Sequence, residues 1–106
     1  MSIQVEIWFD GTKRWLKNNL THRINHPAIV WANGCHSWHY NGQLHRDNGP
    51  AIEYVDGDKF WYYQGKIHRT DGPAIIQEHT SKWFFNNQEL SEYEYMFIFK
   101  TTQQNA

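Results

Sequence analysis

The stretch GDKFWYYQGKIHRTDGPAI, residues 57–75, decides the fold because the chain contains it more than once. Counterparts begin at residue 34, GCHSWHYNGQLHRDNGPAI, and at residue 11, GTKRWLKNNLTHRINHPAI, and their shared histidine recurs every 23 residues. A shortened fourth copy follows as HTSKWFFNNQEL. Because repeated units contact mainly their neighbours, this period predicts an extended array and argues against a single catalytic centre.

Each unit predicts one β-hairpin. Asn41-Gly42 and Gln64-Gly65, with Asn-Asn variants in the first and fourth units, supply the positive φ angles that two-residue hairpin loops need. Counting outward from Asn41-Gly42 places Trp38 opposite His45, and each such histidine is expected to stack on its tryptophan and donate a ring N–H to backbone near the following bend. The expected structural ladder comprises Trp15, Trp38, Trp61 and Trp83 with His22, His45 and His68.

A second set of turns, such as Asp56-Gly57, links the units. As two-residue loops these turns would place Ile52 opposite Trp61, with the arginine that follows each histidine on the other sheet face. The last linker is one residue shorter, and keeping Ile75 opposite Trp83 would require a three-residue loop there. At DNGPA and TDGPA the proline has no N–H for a ladder, so the strand either kinks or turns fully, and of the two we expect a kink within one long strand.

The C-terminal segment has a different pattern. Ser91-Glu92-Tyr93-Glu94 predicts a capping box that opens a short helix, from about Glu92 to about Lys100. Tyr93, Met96, Phe97 and Lys100 would form its inner face as a lid over the last strand, and the tail from Thr101 to Ala106 is expected to fray. The predicted fold is therefore mainly β: one domain, an elongated antiparallel sheet of hairpin units at about 8–30, 31–53, 54–76 and 77–91, and a short C-terminal α-helix.

The unit WYYQGKIHRTDGPA resembles a MORN-type repeat variant of bacteriophage and giant-virus proteins, and more distantly the antitoxin-like YwqK repeats. The resemblance covers roughly Trp8 to Leu90. It implies a twisted antiparallel sheet of hairpins used for protein or ligand contact, without a shared active site. The chain departs from the pattern at Asn19, His26, Leu90 and Ser91, so a binding role carries over best to the second and third units.

Composition argues against several function classes. With 106 residues, a net charge of −1 and a pI near 6.6, the chain has no broad basic field, and duplex nucleic acid is not an expected partner. We find no apolar run long enough for a bilayer and no signal-peptide pattern at the N-terminus. The single cysteine, Cys35, is expected on the surface beside a turn, which favours the cytoplasm, or the host cytoplasm for a phage protein.

Metal and enzymatic chemistry are not expected. Histidines in successive hairpins would lie about 10 Å apart if two strands separate them, whereas zinc ligands lie about 2 Å from one centre. His22, His45 and His68 therefore should not share an ion, and the sequence implies no metal and no cofactor. It also lacks a nucleophile paired with a base, and Asp47 and Asp71 fall in turns where they serve the backbone.

The candidate binding face combines the repeated arginines with aromatic neighbours: Arg23, Arg46, Arg69, Phe60, Tyr62 and His39. Guanidinium groups between aromatic rings suit an acidic protein surface or a phosphate-bearing ligand. The first hypothesis is a phage accessory protein that binds and inhibits a host protein or defence component. The alternatives are a sponge that sequesters a nucleotide immune signal and an antitoxin-like binder of a toxin.

The N-terminal segment Ile3–Phe9, IQVEIWF, is apolar at alternate positions and lies at one end of the predicted array. An open sheet edge of this kind pairs readily with another strand. We expect it to pair with a second copy of the chain, giving a homo-oligomer, or to dock the partner.

Overall fold

The computed structural model describes residues 3–100, and the expected mainly β architecture is confirmed. The strands are β1 (Gln4–Ile7), β2 (Lys13–Lys17), β3 (Leu20–Thr21), β4 (Ile29–Val30), β5 (His36–Ser37), β6 (His39–Tyr40), β7 (Gln43–Leu44), β8 (Ile52–Glu53), β9 (Lys59–Phe60), β10 (Tyr62–Tyr63), β11 (Lys66–Ile67), β12 (Ile75–Gln77), β13 (Thr80–Phe85) and β14 (Gln88–Leu90). A short helix α1 (Glu92–Tyr95) continues as a π-helical turn, Met96–Lys100.

One antiparallel sheet runs through the molecule in the order β1-β2-β4-β5-β8-β9-β12-β13-β14, with β3 beside β2. The hairpin tips β6-β7 and β10-β11 continue beyond it, and neighbouring tips join by 2.8 Å bonds such as that from the Gly42 amide to the Thr21 carbonyl. The result is elongated, with extents of 49 × 32 × 20 Å and a radius of gyration of 15.7 Å. A compact chain of this length would have a radius of about 13 Å.

The hairpin turns have the predicted register. Tyr40 pairs with Gln43, and the His45 amide donates to the Trp38 carbonyl at 3.0 Å. The φ angles of Asn41 and Gly42 are 49° and 84°, as a two-residue loop with two left-handed residues requires. Local turn chemistry is therefore enough to set this part of the fold.

The linking turns contain three residues, and the predicted two were wrong. The Tyr54 amide donates to the Asp58 carbonyl at 2.9 Å, which places Ile52 opposite Phe60. The cause is local: the Asp56 carboxylate accepts the Asp58 amide at 3.0 Å, and Gly57 follows with φ of 100°. A type I turn closed by a left-handed glycine has this length. The expected row of Ile opposite Trp is therefore shifted by one residue.

The last linker was predicted to have a three-residue loop, and this prediction was also wrong. Gln77 pairs with Thr80, so this loop has two residues, and Ile75 pairs with Lys82. Lys82 precedes its tryptophan as Phe60 precedes Trp61, so the register matches that of the preceding unit. Shortening the loop absorbs the deletion and keeps the side chains on their faces.

The buried core is thin and made mostly of small or aliphatic side chains. The buried apolar residues are Leu16, Ala28, Ile29, Cys35, Ala51, Ala74, Ile75 and Tyr95. Cys35 is 7% exposed, so its expected surface position was wrong. The four ladder tryptophans are only half-buried. Trp83 lies beside the Tyr95 ring of the C-terminal helix, with ring centroids 6.4 Å apart.

Each G-P-A segment belongs to a loop in which the chain turns fully, so the favoured kink was wrong and the alternative is correct. Trp38 accepts a bond from the His45 amide and donates its own amide to the Ala51 carbonyl at 2.7 Å, so residues 46–50 leave the ladder and return to the same place. The same pattern recurs around the tryptophans of the first and third units. We call residues 23–27, 46–50 and 69–73 the ribs.

The C-terminal helix has the predicted capping box, but a different inner face. Ser91 Oγ accepts the Glu94 amide at 3.1 Å, and Glu94 Oε1 accepts the Ser91 amide at 2.9 Å. Tyr95, 2% exposed, packs against the Phe99 ring at 4.6 Å, whereas Tyr93 and Phe97 are exposed. The Lys100 side chain and the tail 101–106 lie outside the described residues.

Candidate functional site

Every rib folds its arginine back over the tryptophan of its own unit. The guanidinium carbon lies 3.8–3.9 Å from the ring centroid in three pairs: Arg23 with Trp15, Arg46 with Trp38, and Arg69 with Trp61. The prediction that the arginines face away from the tryptophans was wrong, because strand alternation ends where the rib begins. These cation–π contacts cover the outer side of the half-buried indoles.

The arginine also closes its rib. Arg69 Nη1 donates to the Pro73 carbonyl at 3.0 Å, and Arg46 bonds the Pro50 carbonyl in the same way. The rib glycine makes room for this side chain: a Cβ on Gly72 would lie 2.8 Å from the guanidinium carbon of Arg69. Glycine serves close approach here and not backbone conformation, because its φ is not in the left-handed region.

The first rib accommodates its arginine without a glycine. His26 occupies the glycine position, yet Arg23 still lies 3.9 Å above Trp15. Asn25 has φ of 67°, a left-handed angle that asparagine tolerates better than most residues. We attribute the room for the His26 side chain to this altered backbone, so the departure from the repeat pattern leaves the arginine in place.

The repeated histidines connect each unit to the next. Their Nδ1 atoms accept the backbone amides of Asn41, Gln64 and Asn86, in the following hairpin turn, at 2.9, 2.9 and 3.1 Å. Each ring packs 4.6–4.7 Å from an aromatic ring of that next hairpin: His22 with Tyr40, His45 with Tyr63, and His68 with Phe85. The expected stacking on tryptophan was wrong, and in the middle unit the ring contacts the Asp47 side chain at the bend instead of the expected backbone group.

This arrangement requires neutral imidazoles, since a protonated Nδ1 cannot accept a hydrogen bond. Burial lowers the pKa of His22, with a smaller contribution from Lys17, and burial lowers the pKa of His68. In the middle unit His45 Nε2 contacts the Asp47 carboxylate at 3.0 Å. His22 and His68 therefore act as neutral links between hairpins.

Two adjacent grooves lie between the ribs, with volumes of about 590 and 680 Å³. Rib 46–50 separates them, and Tyr63 lines both. Tyr40 and Tyr63 are 50% and 43% exposed although their rings contact the histidines. The grooves thus present aromatic rings whose orientation is fixed by the hairpins that carry them.

On the second and third ribs the carboxylates are more exposed than the arginines. The side chains of Asp47 and Asp71 are 71% and 79% exposed, whereas those of Arg46 and Arg69 are 29% and 21% exposed. Asp71 accepts from Arg69 Nε at 2.8 Å, which leaves its other oxygen without a bond among the described contacts. Arginines also line both grooves, Arg23 and Arg46 the first and Arg46 and Arg69 the second, so neither groove is acidic overall.

The remaining predicted binding residues do not form one surface. Tyr62 lines the second groove and is half-buried, and burial, followed by the neighbouring Tyr54, raises its pKa. Phe60 packs edge-on against Tyr54 with ring centroids 5.6 Å apart. His39 contributes to the first groove, while its ring is hydrogen-bonded to Ser37. Phe60 is not part of either groove.

The Ser37–His39 pair is a contact that sequence reasoning missed. Ser37 Oγ and His39 Nε2 are 2.8 Å apart, but Ser37 is only 1% exposed and unable to meet a substrate. Burial, with Arg14 as the secondary cause, lowers the pKa of His39 to about 4. The pair is therefore structural and stays neutral where the ladder passes from β5 to β6.

Sequence reasoning also missed the aromatic residues that pack against the repeated histidines. Tyr40, Tyr63 and Phe85 each occupy the position directly before the turn dipeptide, so the signal was an aromatic residue recurring at that position in three units. It was overlooked because pairing was counted within a hairpin, and these rings make their histidine contacts between hairpins.

Within residues 3–100 no group of three or more His, Cys, Asp and Glu side chains is arranged to hold a metal ion. The same part of the chain has no helix long and apolar enough to cross a membrane. Comparison of the sequence and structure with family models, curated proteins and solved structures finds no match.

Proposed function

We propose that this chain is a non-enzymatic protein-binding module whose contact surface is the pair of grooves between the ribs. The observation that carries the proposal is the half-exposed Tyr40 and Tyr63, which lie between protruding ribs in consecutive units. Tyrosine combines a large apolar ring with a hydroxyl group and is enriched at energetically dominant interface positions.

The grooves are suited to binding because their walls are already fixed. Arg46 holds one rib closed through Trp38 and the Pro50 carbonyl, and His45 orients Tyr63. A partner therefore orders few side chains when it binds, which reduces the entropy cost of association. The repeat supplies the same device twice, so one partner could occupy both grooves.

The biological setting in this proposal follows the MORN-like resemblance. A phage accessory protein in the host cytoplasm would use the grooves to cover a surface of a host enzyme or defence component and so inhibit it. An antitoxin-like role uses the same surface with a toxin as the partner. Neither role requires a catalytic group on this chain.

The nucleotide-sponge alternative has less support. Arg46 and Arg69, the expected phosphate ligands, each place the guanidinium plane on an indole and use Nη1 for a proline carbonyl. Asp71 also accepts from Arg69 Nε at 2.8 Å. Calorimetry against cyclic nucleotides and ADP-ribose derivatives should therefore give no binding heat.

The proposal is tested by affinity capture from host lysate with mass spectrometry. The test variant carries Tyr40→Ser and Tyr63→Ser, and the matched control carries Tyr54→Ser and Tyr93→Ser, whose side chains are 42% and 81% exposed outside the grooves. Circular dichroism establishes that both are folded. We expect a specific partner with wild type and control that is lost with the groove variant.

A second groove variant distinguishes a loss of binding from a loss of folding. Asn48→Arg adds a long side chain at the exposed tip of rib 46–50, where both grooves meet, without removing a ring contact. It should also lose the partner. Equal capture by wild type and both groove variants would contradict the proposal and direct attention to the β1 edge.

A further inference from the structure

We infer that the backbone of rib 46–50 binds the hydroxyl group of a tyrosine side chain of the partner protein, which enters the second groove. This inference rests on the proposed binding function and names the chemical group that one groove takes. The chain itself contains the corresponding contact, because its own Tyr95 occupies this place on the next rib.

Rib 69–73 binds the Tyr95 hydroxyl through two backbone groups. The hydroxyl donates to the Arg69 carbonyl at 2.7 Å and accepts the Gly72 amide at 3.1 Å. Tyr95 belongs to the C-terminal helix, is 2% exposed, and has its ring 6.4 Å from that of Trp83. Because a hydroxyl group is both a donor and an acceptor, one atom satisfies both groups of the rib.

Rib 46–50 has the same local geometry and leaves the same two groups open. In both ribs the arginine bonds the proline carbonyl at 3.0 Å, and a Cβ on the rib glycine would lie 2.8–2.9 Å from the guanidinium carbon. Among residues 3–100, neither the Arg46 carbonyl nor the Gly49 amide has a hydrogen-bond partner. The pair of groups that Tyr95 satisfies in one rib is therefore available in the other.

The second groove, of about 680 Å³, opens onto these two groups. Gly49 and Trp61 both line it, and Trp61 has the position in the third unit that Trp83 has in the fourth. Arg69 lines it too, but the hydrogen bonds of its side chain stay within its own rib. A partner's tyrosine ring can therefore lie near Trp61 with its hydroxyl at rib 46–50.

The two places differ in the arginine over the tryptophan. The fourth unit has Ser91 at the arginine position, and Tyr95 lies beside Trp83 there. In the second groove Arg69 covers Trp61, and a partner's tyrosine ring would meet the exposed part of this guanidinium. Arginine contacts aromatic rings favourably, so this difference is compatible with an aromatic occupant.

The first groove lacks this arrangement. Its lining does not include Gly49, and the rib on its other side has His26 in place of glycine and a left-handed Asn25. We therefore place one tyrosine, and in the second groove alone.

NMR spectroscopy of the whole chain tests the inference with para-cresol, which is the tyrosine side chain as a free molecule. We expect a saturable shift of the Gly49 amide resonance. The Gly72 amide is already bonded to Tyr95, so it is an internal control that should not shift. Toluene and para-methylanisole cannot donate a hydrogen bond, and they should bind at least about tenfold more weakly.

Two matched variants locate the site. Thr70→Trp places a large ring in the second groove, and Ile24→Trp does the same at the equivalent position in the first groove. Thr70→Trp should abolish the Gly49 shift, whereas Ile24→Trp should leave it unchanged. No Gly49 shift in the wild type, equal shifts with para-cresol and toluene, or a shift that survives Thr70→Trp would overturn the inference.

A synthetic peptide copying residues 90–100 distinguishes a protein tyrosine from a free phenol. It should shift the Gly49 amide at a concentration at least about tenfold lower than para-cresol, because its other side chains add contacts. The same peptide with Tyr95→Phe should not shift it. Binding of para-cresol without the peptide would show that a partner tyrosine is the wrong occupant. If affinity capture still depends on Tyr40 and Tyr63 in that case, the binding function stands and only the tyrosine assignment is wrong.

Discussion

Replacing Gly72 with alanine tests the packing of the ribs. The new Cβ would lie 2.8 Å from the Arg69 guanidinium carbon, so either the arginine leaves its position or the rib moves. Moving the arginine sacrifices the bond to the Pro73 carbonyl, about 1.5–3 kcal/mol for a charged donor, and a cation–π contact of about 0.5–1 kcal/mol. Partial relaxation reduces the loss, and we expect Gly72→Ala to lower the unfolding free energy by about 2 kcal/mol.

The decisive comparison is made without the arginine. In an Arg69→Ala background the new methyl group meets no guanidinium, and because the φ of Gly72 is not left-handed, alanine adopts it without the usual strain. Gly72→Ala should then be neutral or stabilising by up to about 1 kcal/mol, through the lower entropy of the unfolded chain. Urea unfolding of the four proteins measures this double-mutant cycle. An equal loss of stability in both backgrounds would refute the proposed packing of the Arg69 guanidinium between Gly72 and Trp61.

Three further outcomes are expected. Trp61→Ala should lower the unfolding free energy by about 3 kcal/mol in thermal or urea unfolding, the lower end of the range for a core tryptophan, because Trp61 is half-buried beneath Arg69. A loss below about 1 kcal/mol would contradict this packing. Stability should fall as the pH is lowered from about 6.5 toward 4. The pKa values of His22, His39 and His68 are lowered in the folded chain, so the unfolded chain takes up protons first. A flat stability profile from urea unfolding across that range would contradict this. Val5→Pro should leave the chain folded by circular dichroism but lower its oligomer mass in light scattering or its partner capture. Strand alternation places the Val5 N–H on the open edge, because the Trp8 amide bonds inward to the Thr12 carbonyl. Unchanged mass and capture would exclude the β1 edge as a binding site.

The fold was predictable where short-range rules determine it. Asn41-Gly42 specifies a tight hairpin, and Ser91 with Glu94 specifies a helix start, so both features agree with the sequence. Asp56-Gly57 was ambiguous because Asp-Gly fits both a two-residue loop and the last two residues of a three-residue loop. The choice between them sets which residue pairs with Ile52, and one residue changes every pairing.

The candidate site was harder to predict because its contacts cross between units or depend on the ribs. Arg69 could be placed only by extending the strand alternation, and the rib breaks that alternation before the arginine. Tyr63 contacts a histidine of the preceding unit, which pairing within one hairpin does not show. The residue types were visible in the sequence, but their neighbours depended on how adjacent hairpins align.

The central claim is that the grooves between the ribs are the contact surface, and amide hydrogen exchange with the captured partner tests it most directly. The account predicts slower exchange on binding in residues 39–50 and 62–73, which contain the hairpin tips and two ribs, with no change in β1 (Gln4–Ile7). Protection confined to β1 or to the C-terminal helix, with unchanged exchange across both grooves, would contradict it.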